Sequence, residues 1–409
     1  MRIAIVTPEF VSEKSFDGGL ANYTYKLAKW LKSKGNEVIV FLLSDTSGSF
    51  VFEGIDIEKI EFTDYAWRIK YYTKKLKLGF LFPEWLQYHL FFRQGSCLVF
   101  RALKNYNKKS KIDIIQYPHL NGYAYYSLKK IPFLVRLSSS TQQCNDMGGS
   151  GRSKTYMEII NHFEIASMKK ASAVFGPSRA IASLTELQID KKISILETPY
   201  IKPIGELNYN IYNEFLSGKK YVLFFGSIGL IKGVGTIAEI IHRLLSDNPD
   251  LYYVFVGKQL NNKINNIDAW DYLLHKAAEF KNRVIYIPSQ KHQTLFPIIK
   301  HAQLITLPSR TDNFPNTCIE SMANKKIVIG TKGNGFDQLI TDGENGLIID
   351  VDDHSALLNK INFVLSLDSA VKDRMEQKAL ERIINLKPDI VLNQLMDLYK
   401  KTINEYNGS

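Results

Sequence analysis

The chain of 409 residues is longer than one hydrophobic core usually serves, so two domains of roughly 200 residues each are expected. Its 45% apolar and 23% charged residues are ordinary globular proportions and exclude long disordered tracts. The net charge of +11 is unevenly spread: residues 1–200 hold 28 basic and 18 acidic side chains, residues 201–409 hold 24 and 23, and residues 66–111 alone hold 11 and 1. Any acidic surface the protein meets is expected to meet that segment.

Cys97, Cys144 and Cys318 are odd in number, widely spaced and without a metal-ligand pattern, which fits a reducing compartment. The opening "MRIAIVTPEF" reads as a buried strand and not as a signal peptide. No stretch reaches the roughly 18 apolar residues that span a bilayer. A cytoplasmic location is the expectation.

In chain order, "RIAIVT" is a β-branched strand, "GLANYTYKLAKWLKSKG" a helix ending on Gly35, and "NEVIVFLL" a second strand. Strand, helix and strand within about 45 residues make a βαβ unit. The pattern continues through "IDIIQY", "FLVRL" and "SAVFGPS". After a polar, turn-rich stretch at 199–218 it restarts with "YVLFFGS", the helix "VGTIAEIIHRLLSDN", "LYYVFVG", "RVIYIP", "HQTLFPIIKHA", "LITLPS", a helix after Pro315, "KIVIGT" and "NGLIID". The expected architecture is α/β, two doubly wound parallel-sheet (Rossmann-like) domains facing a cleft. The first spans 1–199, the second 200–388, and a final amphipathic helix at about 389–409 packs back on the first.

One stretch concentrates chemistry. In "LPSRTDNFPNTCIESMANKK", residues 307–326, a strand ends, a loop carries Asp312, and Pro315 suits the first turn of a helix that carries Glu320. The two carboxylates can line one mouth from different depths, with the free backbone N–H groups of Asn316 and Thr317 favouring an anion. N–H groups for a phosphate and carboxylates for hydroxyls suit a nucleotide sugar. Spacing alone equally allows a helix-capping Asp312 and a solvent-facing Glu320.

Residues 308–350, from "PSRTDNFPNTCIESMANKK" through the "DGENG" turn, resemble the donor-binding region of glycosyltransferase family 4, retaining sugar transferases of the GT-B fold. That family shows Glu, seven residues and a second Glu; here Asp312 takes the first position and Glu320 the second. The resemblance implies that Glu320 holds the ribose hydroxyls of a nucleoside diphosphate sugar. Asp312 would lie against the transferred sugar, and the backbone from Asn313 through Phe314, Pro315 and Asn316 to Thr317 would reach sugar hydroxyls and phosphate. "FFGSIGLIKG" resembles the loop whose Arg and Lys neutralise the leaving diphosphate: Lys232 is kept, Ser227 stands in the Arg position, and Arg310 is a candidate substitute. "DGGLANYTYKLAKWL" resembles the Gly-Gly loop, with Gly18 and Gly19 letting the backbone approach the donor phosphate.

Many members carry a His where "FLVRLSSS" has Ser138, and a hydroxyl cannot serve as a base near neutral pH. His119, in "YPHLNGY", is the other candidate for that sugar or acceptor pocket. The family implies no metal, no cofactor beyond the nucleotide-sugar donor, and retention at the anomeric carbon. Lys232, Asp312 and Glu320 are the expected catalytic residues.

Residues 66–111 interleave eleven basic with eleven aromatic residues. This suits docking on an anionic inner-membrane surface, where a lipid-linked saccharide acceptor would be found. Nucleic-acid stacking uses the same residue types, but the transferase resemblance disfavours it, and core aromatics under a solvated basic face are the plain alternative. The implied role is sugar transfer in surface polysaccharide assembly (O-antigen, capsule or exopolysaccharide). The rival is a catalytically degenerate nucleotide-sugar-binding or partner subunit. A nicotinamide oxidoreductase is disfavoured because no Gly-x-Gly-x-x-Gly follows the first strand.

Overall fold

The structure is a computed structural model; it describes all residues except 14–18, 66–68, 70, 72–74, 76–81, 139–144, 146–150, 204, 261–262, 265 and 409. Two compact units emerge. One comprises Met1–Gln142, Gly151–Thr198 and Pro388–Ser409, and the other is built on Pro199–Lys387.

The first unit contains β1 (Arg2–Thr7), α1 (Gly19–Ser33), β2 (Glu37–Ser44), β3 (Gly48–Phe52), β4 (Ile55–Glu61), α2 (Glu84–Lys109), β5 (Ile114–Pro118), β6 (Phe133–Arg136), α3 (Lys154–Lys170), β7 (Ala173–Gly176), α4 (Arg179–Ile189) and β8 (Ser194–Ile195). Its sheet runs β3-β4-β2-β1-β5-β6-β7-β8. All neighbours are parallel except β3 with β4. Strand β1 shows why the sheet is covered on both faces. Its alternate residues Ala4 and Val6 enter one apolar core, while Ile3 and Ile5 enter the other.

The β3–β4 hairpin is absent from the sequence reading. Glu53 and Gly54 both adopt positive φ, 46° and 82°, so they make a two-residue hairpin turn without the Asn-Gly or Asp-Gly signal that would have announced it.

The second unit contains α5 (Asn210–Phe215), β9 (Lys220–Phe225), α6 (Val234–Asp247), β10 (Leu251–Val256), a small antiparallel pair β11 (Lys263–Ile264) and β12 (Ile267–Asp268), α7 (Ala269–Ala277), β13 (Val284–Ile287), α8 (His292–His301), β14 (Leu304–Thr306), α9 (Asn316–Ala323), β15 (Val328–Thr331), α10 (Phe336–Leu339), β16 (Leu347–Ile349), α11 (His354–Leu365) and α12 (Ser369–Ile384). Its main sheet is wholly parallel in the order β13-β10-β9-β14-β15-β16. The turn-rich stretch read at 199–218 thus holds a short helix, α5. Pro315 is the residue flanking α9 and not its first helical residue.

The last helix, α13 (Pro388–Gly408), belongs to the first unit. Leu392, Leu395 and Tyr399 bury their faces in the core that α1 also lines. The Tyr399 hydroxyl donates to Gln116 on β5 at 2.5 Å, and the Trp30 indole of α1 donates to Asp389 at 3.1 Å.

Much of the aromatic content of residues 84–109 is core. Phe92 is 1% exposed among Met157, Ile160 and Phe163, Phe91 packs edge-on to Phe62, Tyr88 to Tyr156, and Tyr106 to Phe41. For these rings the alternative of core aromatics under a solvated basic face applies: α2 needs them to cover the sheet and α3. Trp85, Tyr65, Ile69 and Tyr71 are exposed. Residues 66–68, 70, 72–74 and 76–81 of the basic segment lie outside the described residues, as does Cys144.

Candidate functional site

In the second unit the chain winds outward from β9 in both directions, so the order reverses between β9 and β14. In open parallel sheets this switch point, at the carboxyl ends of the strands, is where ligands bind. Two loops leave there, one after each strand.

After β9, Gly226 has φ +122° and lies against Thr317 of α9, and the half-buried Ser227 follows. The Ile228 N–H donates to the Lys258 carbonyl at 2.8 Å, which keeps this stretch beside the end of β10. A single tight turn, Leu230–Lys232, then leads into α6 through Gly233. Gly233 has φ +80°, and a Cβ there would lie 1.9 Å from the Pro308 carbonyl oxygen. Only glycine allows the two loops this approach. The Arg310 N–H donates to the Ile231 carbonyl at 2.8 Å and completes the junction.

This junction brings Lys232 and Asp312 together: Nζ to Oδ2 is 2.5 Å, with the Asp312 side chain 13% exposed. The loop is held from its other side as well. The Gly335 N–H donates to the Asp312 carbonyl at 2.9 Å, and a Cβ on Gly335 would lie 1.9 Å from the Asn313 carbonyl oxygen. Asn313, Phe314 and Pro315 are buried, Asn316 is exposed and Thr317 is half-buried. The exposed part of this run is therefore the first turn of α9, whose N–H groups have no partner inside the helix. Burial raises the pKa of the Cys318 thiol one residue further on, with Asp312 adding to the effect.

Glu320 lies deeper on α9 and pairs with His292, at the start of α8: Nε2 to Oε1 is 3.0 Å. Tyr200 is near enough for the Glu320 charge to add to burial in raising the phenol pKa to about 12. Arg310 is committed elsewhere. Its Nε donates to Asp352 at 3.0 Å, and the same carboxylate oxygen accepts from the Thr236 hydroxyl at 3.2 Å. His292, Tyr200 and Asp352 were not singled out from the sequence, where a His opening a helix and a Tyr after a proline carry no motif.

The first unit has its own switch point, between β1 and β5. His119 follows β5 and is 3% exposed. Its N–H donates to the Arg136 carbonyl at 3.0 Å, and its ring Nδ1 accepts from the Ser138 N–H at 3.0 Å, with the Ser138 hydroxyl also at 3.0 Å. The two residues that the sequence nominated for one pocket are thus neighbours. Because Nδ1 accepts, the ring proton sits on Nε2. Burial, reinforced by the Arg136 charge, lowers the ring pKa to about 4. His119 is therefore a fixed neutral donor at physiological pH and not a base. Gly19 opens α1 and is exposed; Gly18 lies outside the described residues.

Two α/β units with such switch points make a GT-B protein. Sucrose-phosphate synthase from Thermosynechococcus elongatus has the same fold, with a TM-score of 0.75 and 17% identity over 99% of both chains. So does HepE from Anabaena, solved in complex with UDP, with a TM-score of 0.69 and 14% identity over 98% of this chain and 100% of that one. Residues 212–382, which carry the whole Lys232, Asp312 and Glu320 arrangement, match the family of glycosyl transferases group 1. Among curated proteins it is 27% identical over 184 residues to 2-deoxystreptamine N-acetyl-D-glucosaminyltransferase of Niallia circulans, 45% of this chain and 46% of that protein. The chain spans about half the length of the curated relatives it matches.

Proposed function

We infer that the protein is a glycosyltransferase that moves a sugar from a nucleoside diphosphate sugar to a saccharide acceptor with retention at the anomeric carbon. The observation that carries this is the Lys232–Asp312 pair at the β9/β14 switch point, beside the first turn of α9. A diphosphate is the ligand such a place is built for. It can take over Lys232 from Asp312 and accept from the N–H groups of Asn316 and Thr317. Asp312 is then released toward a sugar hydroxyl, and Glu320, oriented by His292, accepts from the ribose hydroxyls. As the glycosidic bond breaks, the diphosphate gains negative charge, and Lys232 with the α9 N-terminus stabilises it without a metal ion.

Ser227 supplies no charge at the position where the family's Arg would stand, and the Arg310–Asp352 pair disfavours Arg310 as its replacement. Lys232 accordingly carries more of the leaving-group stabilisation. His119 and Ser138 belong to the sugar or acceptor side, as donors.

We assign the acceptor to a lipid-linked saccharide in surface polysaccharide assembly, met at the cytoplasmic face of a membrane. Among the described residues no helix is long and apolar enough to cross a membrane. A peripheral mode is supported by α2, where Arg93, Arg101, Lys104 and Lys108 are exposed while the opposite face is core, and by the exposed Trp85.

The test is release of the nucleoside diphosphate from a panel of UDP-, GDP- and TDP-sugars, with and without EDTA, by wild type, Lys232→Ala and Glu320→Ala. Release from one donor, insensitive to EDTA and lost in both variants, is the expected result. Tight donor binding with no turnover for any donor and acceptor extract would make the chain a non-catalytic nucleotide-sugar-binding subunit instead.

A further inference from the structure

Arg136 ends β6 and has no role in the donor site. Its neighbour Leu134 lies in the core shared with α1 and α13, so by strand alternation Arg136 turns to the same face. There its guanidinium stacks on the Tyr23 ring at 3.7 Å, and the residue is 8% exposed. Among the described residues no carboxylate pairs with it. Glu9, at the end of β1 on the same sheet edge, makes no ion pair with it, and burial raises the Glu9 pKa. Tyr23 gives the cation a π face and a phenol but no countercharge, and burial lowers the guanidinium's pKa.

A buried charge without a counterion is unfavourable unless something offsets it. The neighbouring group sharpens the point. His119 feels the Arg136 charge, is held neutral, and has its remaining ring proton fixed on Nε2 by Ser138. A planar fork of N–H donors and a neutral N–H donor therefore occupy the β1/β5 switch edge. The one acceptor, His119 Nδ1, is already taken by Ser138, so what both groups have left to offer is donors, the complement of an oxyanion.

We propose that Arg136, with the Nε2–H of His119, binds an oxyanion carried by the acceptor, which makes the acceptor a phosphorylated or carboxylated saccharide and not a neutral one. The word acceptor rests on the transferase reading above; the anion site does not.

The experiment is isothermal titration calorimetry of the full chain, first with UDP and GDP, then, with the nucleotide that binds kept saturating, with inorganic phosphate, glucose 6-phosphate, glucuronate and glucose. Wild type is expected to bind at least one of the three anions about tenfold or more tighter than glucose. Arg136→Lys, which keeps the charge but loses the fork, should weaken that anion by about tenfold, and Arg136→Met should abolish binding, with nucleotide affinity unchanged in both. The preferred anion separates a phosphate-bearing from a carboxylate-bearing acceptor. Anions that bind no better than glucose, or bind Arg136→Lys as well as wild type, overturn the proposal.

Thermal unfolding without ligand guards against a folding defect. Arg136→Met should melt at or above wild type, because it removes an uncompensated buried charge. If it melts well below wild type and wild type ignores every anion, Arg136 is a structural partner of Tyr23 and the proposal fails. If neither UDP nor GDP binds, the donor reading fails alone, and the anion titrations are read without nucleotide.

Discussion

The two switch points occupy the same topological place in two doubly wound sheets and have opposite electrostatics. At the β9/β14 edge three polar pairs face one another, Lys232 with Asp312, His292 with Glu320 and Arg310 with Asp352, all half-buried or exposed. At the β1/β5 edge His119 and Arg136 are buried donors, and among the described residues no carboxylate pairs with either. A ligand at the first kind of edge exchanges partners with charges already satisfied. A ligand at the second kind must bring the missing charge with it.

The largest effect should come from breaking the exchange. Lys232→Ala is expected to lower kcat for nucleoside diphosphate release by roughly 10²- to 10³-fold, the loss typical of removing one group that stabilises developing charge. Retention of more than a tenth of wild-type turnover would reduce the Lys232–Asp312 pair to a structural contact. Next is the junction that makes the pair. Gly233→Ala places a Cβ 1.9 Å from the Pro308 oxygen at a φ of +80°, so the loops must separate. A loss of about 3–5 kcal/mol is expected in urea unfolding of the second unit. A change below about 1 kcal/mol would mean the loops separate without cost, and that Lys232 and Asp312 need no fixed geometry.

His119 tests the other edge through pH. Its folded pKa, about 4, lies below the ordinary value of 6.5, so the unfolded chain takes up the proton first as pH falls. The contribution of His119 to stability is therefore complete above about pH 6.5 and is lost as pH falls through about 4, reaching roughly 3 kcal/mol. His119→Asn removes the titration. Its urea midpoint should vary less than that of wild type between pH 7 and 4.5, whereas parallel curves would show a ring that is charged or solvated in the folded state.

What the sequence revealed follows from which signals are local. The continuous apolar strands and the helix from Val234 are written in contiguous residues, and so is the spacing of Asp312 and Glu320, because one loop and one helix carry both. The β3–β4 hairpin was not legible, since Glu53 and Gly54 adopt the turn without a favoured dipeptide. The pairing of Lys232 with Asp312 joins residues 80 positions apart and depends on Gly233, whose constraint is the distant Pro308 carbonyl. The aromatics of α2 left core and interface readings both open, because residue type alone does not say which face of a helix is covered. Arg136 was passed over because a strand-ending Arg reads as exposed until Tyr23 is found on top of it.

The smallest effect distinguishes the two histidines. His292 reaches Glu320 from a side chain that is 37% exposed, and on the proposed reading it orients the carboxylate. His292→Ala should therefore weaken UDP or GDP binding by about fivefold, near 1 kcal/mol, because Glu320 loses one hydrogen bond while water replaces part of it. Glu320 is assigned to the ribose, which is held alike in ground and transition states, so KM should rise while kcat stays constant. His292→Gln, whose amide can donate in the same direction, should recover most of the affinity. A fall in kcat with KM unchanged would place His292 on the reacting sugar and move Glu320 with it. That outcome would also erase the contrast between an edge that orients by paired charges and one that waits for its countercharge.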